Sequence, residues 1–208
     1  MPSIRLVAGL GNPGREHLAT RHNAGFWFAD GLASRLGAAF RTEGRFHGQV
    51  AKADGDLRLL KPGTFMNLSG RSVSGVAGFF GIEPGEILVA HDELDLLPGE
   101  AKMKFGGGIA GHNGLRDIAA QLGTPDFWRL RIGIGHPGNK DIVADYVLHE
   151  ARREEREAIE PAFDRSLGLL SRLATGRIND ATTWLHTQPK PEPEVPAKAG
   201  TEPPKDKQ

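Results

Sequence analysis

Apolar residues recur along the first 187 residues with two different periods, which predict strands alternating with helices. Short apolar or alternating runs predict strands at residues 4–8, 46–53, 57–61, 86–90, 101–105 and 127–134. Apolar positions spaced by three and four predict helices at residues 23–36, 69–80, 113–122, 152–174 and 178–186. Strands that alternate with helices in this way indicate an α/β domain.

Local signals refine this arrangement. Asp54-Gly55 separates two strand-like runs and predicts a hairpin, so the sheet is expected to contain antiparallel members. Residues 86–90 are almost continuously apolar, which is typical of a central strand covered on both faces. Residues 101–105 alternate instead and predict an edge strand. Pro161 is expected to interrupt the long helix predicted at 152–174.

The chain is expected to form one domain over residues 1–187, a twisted mixed β-sheet flanked by helices. No periodicity continues after residue 187. Residues 188–208 are rich in Pro, Lys and Glu and contain four basic and four acidic residues. This composition predicts a disordered C-terminal tail.

Composition then excludes several classes of protein. The 208 residues are 38% hydrophobic, which suits one globular domain, and 26 basic residues balance 26 acidic ones. A polyanion must therefore be met by a local patch of charge. The absence of cysteine excludes disulfide scaffolds, thiolate zinc sites and cysteine nucleophiles. The sequence lacks both a signal-peptide pattern and an apolar run of about 18 residues, so we expect a cytoplasmic protein with no membrane contact.

One glycine-rich motif suggests a cofactor. Gly9-Leu10-Gly11-Asn12-Pro13-Gly14 follows a strand and matches the dinucleotide-binding pattern G-x-G-x-x-G. Asn-Pro-Gly is a turn sequence, however, and the next helical pattern starts about ten residues too late. Asp30, the nearest acid at a suitable distance, lies inside that predicted helix. We therefore expect no dinucleotide cofactor.

Five polar segments fall where the predicted strands end or helices begin, which is where ligands bind in open α/β sheets. They are Gly11 to Gly14, Thr20 to Gly25, Phe65 to Gly70, Ala90 to Asp95 and Gly111 to Gly114. Taken singly, each has a simpler explanation. Asn12 suits a turn, Asn67 and Asn113 suit helix caps, and Phe65-Met66 suits a core. Their joint occurrence at these positions indicates a site.

A metal site is a competing explanation for the acidic segment. His91-Asp92-Glu93 offers possible ligands, but the sequence has no histidine pair at positions i and i+4 with a supporting carboxylate. We therefore expect no metal.

In this order, the five segments resemble the bacterial peptidyl-tRNA hydrolase family. The resemblance extends roughly from residue 3 to residue 187. The matching stretches are residues 7–14, 20–26, 61–70, 86–99, 104–117 and 127–138. The resemblance implies hydrolysis of the ester that joins a peptide, or an N-blocked amino acid, to the 3′ ribose of tRNA.

The resemblance also implies roles for individual residues. His22 would be the general base that activates water, and Asp92 would orient its ring, as the acid does in a catalytic triad. The side-chain amides of Asn12, Asn67 and Asn113 would bind the substrate, because each offers a carbonyl acceptor and two N–H donors. Asn12 would distinguish the amide of a peptidyl-tRNA from the ammonium of a free aminoacyl-tRNA.

The substrate-binding residues would also include His17 and Phe65. The family usually has a tyrosine at the position of His17, and histidine stacks less extensively on a base. Ile109-Ala110 also departs from the smaller or polar pair common in the family, at the rim of the predicted crevice.

A local excess of positive charge would meet the tRNA. Residues 101–140 contain six basic and two acidic residues. Lys104 and Arg131 match positions where the family contacts the phosphates of the acceptor arm, and Lys102 lies nearby. Such binding depends on salt and is largely independent of tRNA sequence. A solvated strand face is the simpler explanation for each residue alone.

Two other functions remain open at this stage. One is an RNA-binding protein without catalytic activity on the same scaffold, since a fold does not fix a function. The other is the dinucleotide-dependent oxidoreductase. We expect a monomeric hydrolase without cofactor, metal or obligate protein partner, whose substrate is peptidyl-tRNA.

Overall fold

A computed structural model describes residues 3–53, 55–109, 111–168 and 178–187. In these residues seven strands form one sheet in the order β2-β3-β4-β1-β5-β7-β6. The strands are β1 (Leu6–Gly9), β2 (Arg41–Glu43), β3 (Gly48–Lys52), β4 (Arg58–Pro62), β5 (Ile87–Glu93), β6 (Ala101–Phe105) and β7 (Trp128–Gly133).

The sheet has a parallel centre and antiparallel edges. The strands β4, β1, β5 and β7 run parallel, so their carboxyl ends lie at the same edge. The β2–β3–β4 meander is antiparallel, and β6 pairs antiparallel with β7 at the other edge. The predictions of a mixed sheet, of a central strand beginning near residue 86 and of an edge strand at Ala101–Phe105 are confirmed.

Helices cover both faces of the sheet. They are α1 (Ala24–Arg35), α2 (Ser69–Phe80), α3 (Asn113–Leu122), α4 (Val143–Leu148), α5 (Arg153–Leu167) and α6 (Ile178–His186). Successive side chains of a strand point to opposite faces. Ile87 and Val89 of β5 therefore pack in one core with α2 and α3. Leu88 and Ala90 pack in the other core with α1.

Three features of the fold differ from the sequence predictions. The strand β2 was not predicted, because Arg41, Thr42 and Glu43 lack an apolar alternation. The six-residue helix α4 was not predicted either. The expectation that Pro161 interrupts its helix is wrong, because α5 continues through it. Proline removes one N–H donor at that point, and the carbonyl it would have bonded belongs to Glu157, an exposed residue that water can reach.

Several predictions concern residues outside the described part of the chain. They are Asp54 of the predicted hairpin turn, Ala110, residues 169–174 of the predicted long helix and the tail at 188–208. None of the helices in the described ranges is both long and apolar enough to cross a lipid bilayer.

Candidate active site

The two predicted catalytic residues and four of the five predicted substrate-binding residues meet at the carboxyl ends of the parallel strands. A pocket of about 330 Å³ is lined by residues from the loop after β1, the turn before α1, the turn before α2 and the start of α3, with α4 as a further wall. Five predicted residues line it, namely Asn12, His22, Phe65, Asn67 and Asn113. This is the crevice at the strand ends that open α/β sheets use for ligands.

His22 and Asp92 are hydrogen-bonded at this edge of the sheet. The strand β5 continues to Glu93, and alternation places Asp92 on the same face as Ala90, toward α1. The Nδ1 of His22 lies 2.9 Å from one carboxylate oxygen of Asp92 and 3.0 Å from the other. A carboxylate only accepts, so Nδ1 carries the proton. The other ring nitrogen, Nε2, is then an acceptor.

The two neighbours of His22 fix its position. Arg21 is buried and donates to the backbone carbonyls of Tyr146 and His149 and to the carboxylate of Glu155, at 2.7 Å for the last. Asn23 is fully buried, and its amide accepts from the backbone N–H of Asn12 at 2.8 Å and donates to the Asn12 carbonyl at 3.0 Å. The contacts of the preceding and the following residue therefore fix the backbone position of His22.

Glycines bring the start of α1 directly against the sheet. A Cβ on Gly25 would collide with the backbone of Leu10 and Ala90, and a Cβ on Gly9 would collide with the carbonyl of Gly25. A Cβ on Gly11 would lie 2.7 Å from the ring of Phe26. The glycines of the dinucleotide-like motif thus serve helix–strand packing. Only a single 3₁₀ turn, Arg15–His17, follows Gly14 before residue 20, and Asp30 lies inside α1, as expected.

A hydrogen bond fixes the orientation of the Asn12 side chain. Its side-chain oxygen accepts from the backbone N–H of Met66 at 2.7 Å, and the residue is 7% exposed. The contact leaves the side-chain NH₂ as its free group, so Asn12 offers donors to the pocket.

His112, to which the sequence assigns no role, also bonds to Asp92. Its Nε2 lies 3.0 Å from the same Asp92 oxygen that His22 contacts. Its Nδ1 accepts from the backbone N–H of Leu115 at 3.3 Å and so caps α3. The cap leaves the proton on Nε2, so His112 donates from Nε2 to Asp92. No local sequence signal pairs residues 92 and 112.

Burial and the neighbouring side chains determine the pKa values of Asp92 and His22. Burial alone would raise the pKa of Asp92, but the electrostatic attraction and the hydrogen bonds of the His22 and His112 rings outweigh it and hold that pKa well below its usual range. Burial alone would lower the pKa of His22, but the Asp92 carboxylate outweighs it and raises that pKa above the ordinary value. Asp92 is thus ionised at neutral pH beside a histidine of raised basicity.

A third histidine, His91, lies beneath the pair. Burial lowers the pKa of His91 to about 3, so its ring is neutral. Its Nδ1 donates to the backbone carbonyl of Asp92 at 2.7 Å, and the ring packs edge-on against that of His112 at 5.0 Å. This contact supports the ring of His112 from the sheet side.

His22, Asp92 and His112 also bring three possible metal-ligand atoms within 4.8 Å of one another, a grouping that the sequence did not reveal. The hydrogen bonds explain this proximity. A cation would have to displace the protons that both histidines donate to Asp92.

The remaining amides are free to bind a ligand. Asn67 and Asn113 are exposed, and within the described ranges no hydrogen bond engages their side chains. Neither is a helix cap, because Leu68 and His112 occupy those positions. Phe65 is 60% exposed at the pocket, whereas Met66 is buried in the core.

The predicted tRNA-binding residues lie on the β6–β7 edge. Lys102 is opposite Arg131 in the antiparallel pair, and Lys104 is exposed. Arg131 forms an ion pair of 2.8 Å with Glu93. Arg129, counted in the basic excess, is buried and donates to the carbonyls of two glycines in the loop after β6, so it does not belong to an exposed patch.

His17 is half-buried in the turn after Gly14 and does not line the pocket that contains His22. The structure therefore groups five of the predicted substrate and catalytic residues with Asp92, and leaves His17 outside this group.

Comparison with known proteins identifies the family of the chain. Residues 6–193 match the family model described as peptidyl-tRNA hydrolase. A peptidyl-tRNA hydrolase of Azoarcus sp. is 54% identical over 188 residues, covering 90% of this chain and 86% of the relative. One of Aromatoleum aromaticum is 56% identical over 186 residues, with coverages of 89% and 95%. The crystal structure of a peptidyl-tRNA hydrolase from Acinetobacter baumannii has a TM-score of 0.86 and 45% identity, covering 88% of this chain and 95% of that one. The chain therefore belongs to the peptidyl-tRNA hydrolase family.

Proposed function

We propose that His22 is the general base in the hydrolysis of the ester between a peptide and the 3′ ribose of tRNA. One observation carries this proposal. The Nδ1 of His22 is bonded to a buried carboxylate, and the ring lines a pocket with three side-chain amides. A base held in one tautomer beside amide groups suits attack of water on a carbonyl.

The reaction follows from this arrangement. The Nε2 of His22 takes a proton from a water molecule as its oxygen attacks the ester carbonyl carbon. The imidazolium that forms is stabilised by Asp92. It then returns the proton to the 3′ oxygen as the carbon–oxygen bond breaks. The products are a peptide with a free carboxyl group and a tRNA with a free 3′ hydroxyl. An ester is reactive enough for a positioned water, so we propose no metal and no cofactor.

His112 supports this step as a positioning residue. By donating to one Asp92 oxygen it keeps the carboxylate ionised and fixed in the plane that His22 needs. A carboxylate free to rotate would lose part of the two-oxygen contact with Nδ1 of His22.

The amides provide selectivity for a blocked amino group. Because the backbone N–H of Met66 donates to the side-chain oxygen of Asn12, the amide is oriented with its NH₂ donors toward the substrate. A peptide carbonyl accepts such a bond, whereas the ammonium of an aminoacyl-tRNA has no acceptor to offer. Asn67 and Asn113 are proposed to hold the peptide backbone on the other sides of the pocket.

Contacts with the tRNA phosphates are proposed for Lys102, Lys104 and Arg131. Lys104 is exposed and has no ion-pair partner among the residues that the structure describes. Arg131 is already paired with Glu93, so we expect it to contribute less than Lys104. A place at the tRNA end is proposed for His17 from the family resemblance alone, because His17 does not line the pocket of His22, Asn67 and Phe65.

Release of the N-acetylated amino acid from N-acetyl-aminoacyl-tRNA, with the unblocked aminoacyl-tRNA beside it and EDTA present, tests this function. We expect rapid cleavage of the blocked substrate alone. If the protein binds tRNA without cleaving either substrate, it is an RNA-binding protein on a hydrolase scaffold. Cleavage that needs an added cation would contradict the metal-free mechanism.

A further inference from the structure

A groove far from the proposed active site lies at the β2 end of the sheet, on the face that α2 covers. It has a volume of about 510 Å³, within the ~300–1,000 Å³ typical of ligand sites. Val50 lines it and packs in the core shared with α2 and α3. Arg41 is opposite Val50 in the pair of β2 and β3, so both residues share this face. Among the described residues, the groove has no lining residue in common with the pocket that contains His22.

Positive charge dominates this groove, although the chain as a whole is neutral. Within the described ranges Glu43 is the one acidic residue of the lining, whereas four lining residues are basic, namely Arg41, Arg45, Lys52 and Arg58. Glu43 forms an ion pair of 3.6 Å with Arg45. Arg41 and Lys52 are exposed and form no ion pair with any residue that the structure describes. These two side chains therefore present uncompensated charge to the groove.

Two of the cations repel each other. Lys52 is directly opposite Arg58 in the antiparallel pair of β3 and β4. Like charges at opposed positions lie about 5 Å apart at Cβ and destabilise a sheet. Asp56 pairs with Arg58, but the same carboxylate also pairs with Arg5. A bound anion would relieve this repulsion, so the groove is suited to a negatively charged ligand.

Aromatic rings accompany the cations. The guanidinium of Arg58 lies 3.7 Å from the ring centre of Phe80. That of Arg45 lies 4.7 Å from the ring centre of Phe46 and 4.5 Å from that of Phe79. Phe79 also packs edge-on against Phe80, yet it stays 60% exposed. Unpaired bases stack on exposed aromatic rings and on arginine planes, while cations beside them meet the phosphates. An acidic peptide would use the cations and leave the exposed ring without a stacking partner.

The groove is remote from both regions proposed to bind peptidyl-tRNA. Lys52 and Arg58 lie at the start of β4, and the pocket of His22 lies beyond its carboxyl end, about 13 Å further along the strand at ~3.3 Å per residue. In the sheet order β2 and β6 are six strands apart, which corresponds to about 29 Å at ~4.8 Å per strand. A ligand in the groove therefore leaves the surface of β6 and β7 free for the acceptor arm.

We propose that this groove binds a segment of single-stranded RNA, separate from the tRNA that is hydrolysed. The phosphates of the segment pair with Arg41 and Lys52, and one base stacks on Phe79. Such binding depends on salt and is largely independent of sequence. It goes beyond the proposed hydrolysis and does not depend on the role of His22. The protein can then stay on RNA whether or not a substrate occupies the active site.

Binding of a fluorescently labelled oligouridylate, measured by anisotropy over a range of salt concentrations, tests this proposal. Arg41→Gln and Lys52→Gln should each reduce the slope of log affinity against log salt by about 0.7, the value for one phosphate contact with a single strand, and lower the affinity about fivefold at 0.1 M salt. Phe79→Leu should lower the affinity about tenfold and leave the slope unchanged. Arg156→Gln is the matched control, because Arg156 is an exposed arginine on α5, outside the groove.

Two further measurements separate RNA binding from other roles. The groove variants should keep the wild-type kcat/KM for N-acetyl-aminoacyl-tRNA, and a loss of kcat/KM with intact oligouridylate binding would assign the groove to the substrate and overturn the proposal. Lys52→Gln removes one of two opposed like charges, so its thermal stability should not fall. A lower stability would make Lys52 a structural residue instead. Wild-type affinity in all three variants, or no oligouridylate binding by the wild type, would also overturn the proposal.

Discussion

Replacing Asp92 with asparagine is predicted to remove the feature on which the proposed catalysis depends. The wild-type carboxylate accepts from Nδ1 of His22 through both oxygens and from Nε2 of His112 through one. Asparagine keeps the size but has one acceptor oxygen and an NH₂ group that faces a donor. One histidine must lose its bond or change its tautomer.

The expected magnitude follows from the charge that develops on His22. At a separation of about 4 Å and an effective dielectric constant of about 20, a carboxylate stabilises an imidazolium by about 4 kcal/mol. Each 1.4 kcal/mol corresponds to a factor of about ten in rate. We therefore expect kcat to fall by roughly a thousandfold, with a much smaller effect on tRNA affinity.

The pH dependence gives a second signature of the same change. Wild-type activity should rise with pH through the raised pKa of His22, because the base must be neutral. In Asp92→Asn the carboxylate that raises this pKa is gone and burial still lowers it. The acidic limb of the residual activity should therefore move to lower pH.

Single-turnover hydrolysis of N-acetyl-aminoacyl-tRNA over a range of pH measures both effects. Asp95→Asn is the matched control, since it makes the same change in an exposed residue three positions further along the chain. An Asp92→Asn variant that binds tRNA and retains the wild-type kcat would refute the role assigned to the carboxylate. An unshifted acidic limb would refute the assignment of that limb to His22.

Three further predictions follow from the site and its surroundings. His112→Asn keeps a capping acceptor for α3 but removes the donor to Asp92, so kcat should fall about ten- to a hundredfold while the fold stays intact. An unchanged kcat would exclude a positioning role for His112. Gly25→Ala should lower the free energy of unfolding by about 1–3 kcal/mol, because the added Cβ collides with the sheet. Thermal denaturation measures this against Gly31→Ala on the same helix, where an added Cβ has no neighbour within 4 Å, and equal stability of the two variants would contradict the close packing of α1. Lys104→Ala should raise KM and reduce the slope of log affinity against log salt by about one, and an unchanged slope would remove Lys104 from the tRNA surface.

The sequence predicted those elements whose own residues carry a periodic signal. The run that became β5 starts with apolar residues on both faces, the run that became β7 alternates apolar residues with arginines, and the apolar positions of α1 follow the helical period. In contrast, β2 is polar and exposed, and its pairing with β3 comes from the meander and not from its composition. The six residues of α4 are too few to show a helical period.

The site could be predicted only in part for a similar reason. The amides and His22 belong to segments with turn signals at strand ends, so their position could be inferred. His112 and Asn23 act through contacts with residues far along the chain, Asp92 and Asn12, and only folding makes those pairs. The sequence counted Arg129 in the basic patch, but its guanidinium is buried and donates to two backbone carbonyls of the loop after β6.

Parallel measurement of tRNA binding and turnover in His22→Ala separates the catalytic role of this histidine from substrate binding. His136→Ala serves as the control, since His136 is an exposed histidine in the loop after β7. We expect His22→Ala to bind N-acetyl-aminoacyl-tRNA with an affinity close to that of the wild type and to release no N-acetylated amino acid above the uncatalysed rate. A His22→Ala variant with wild-type turnover would contradict this expectation.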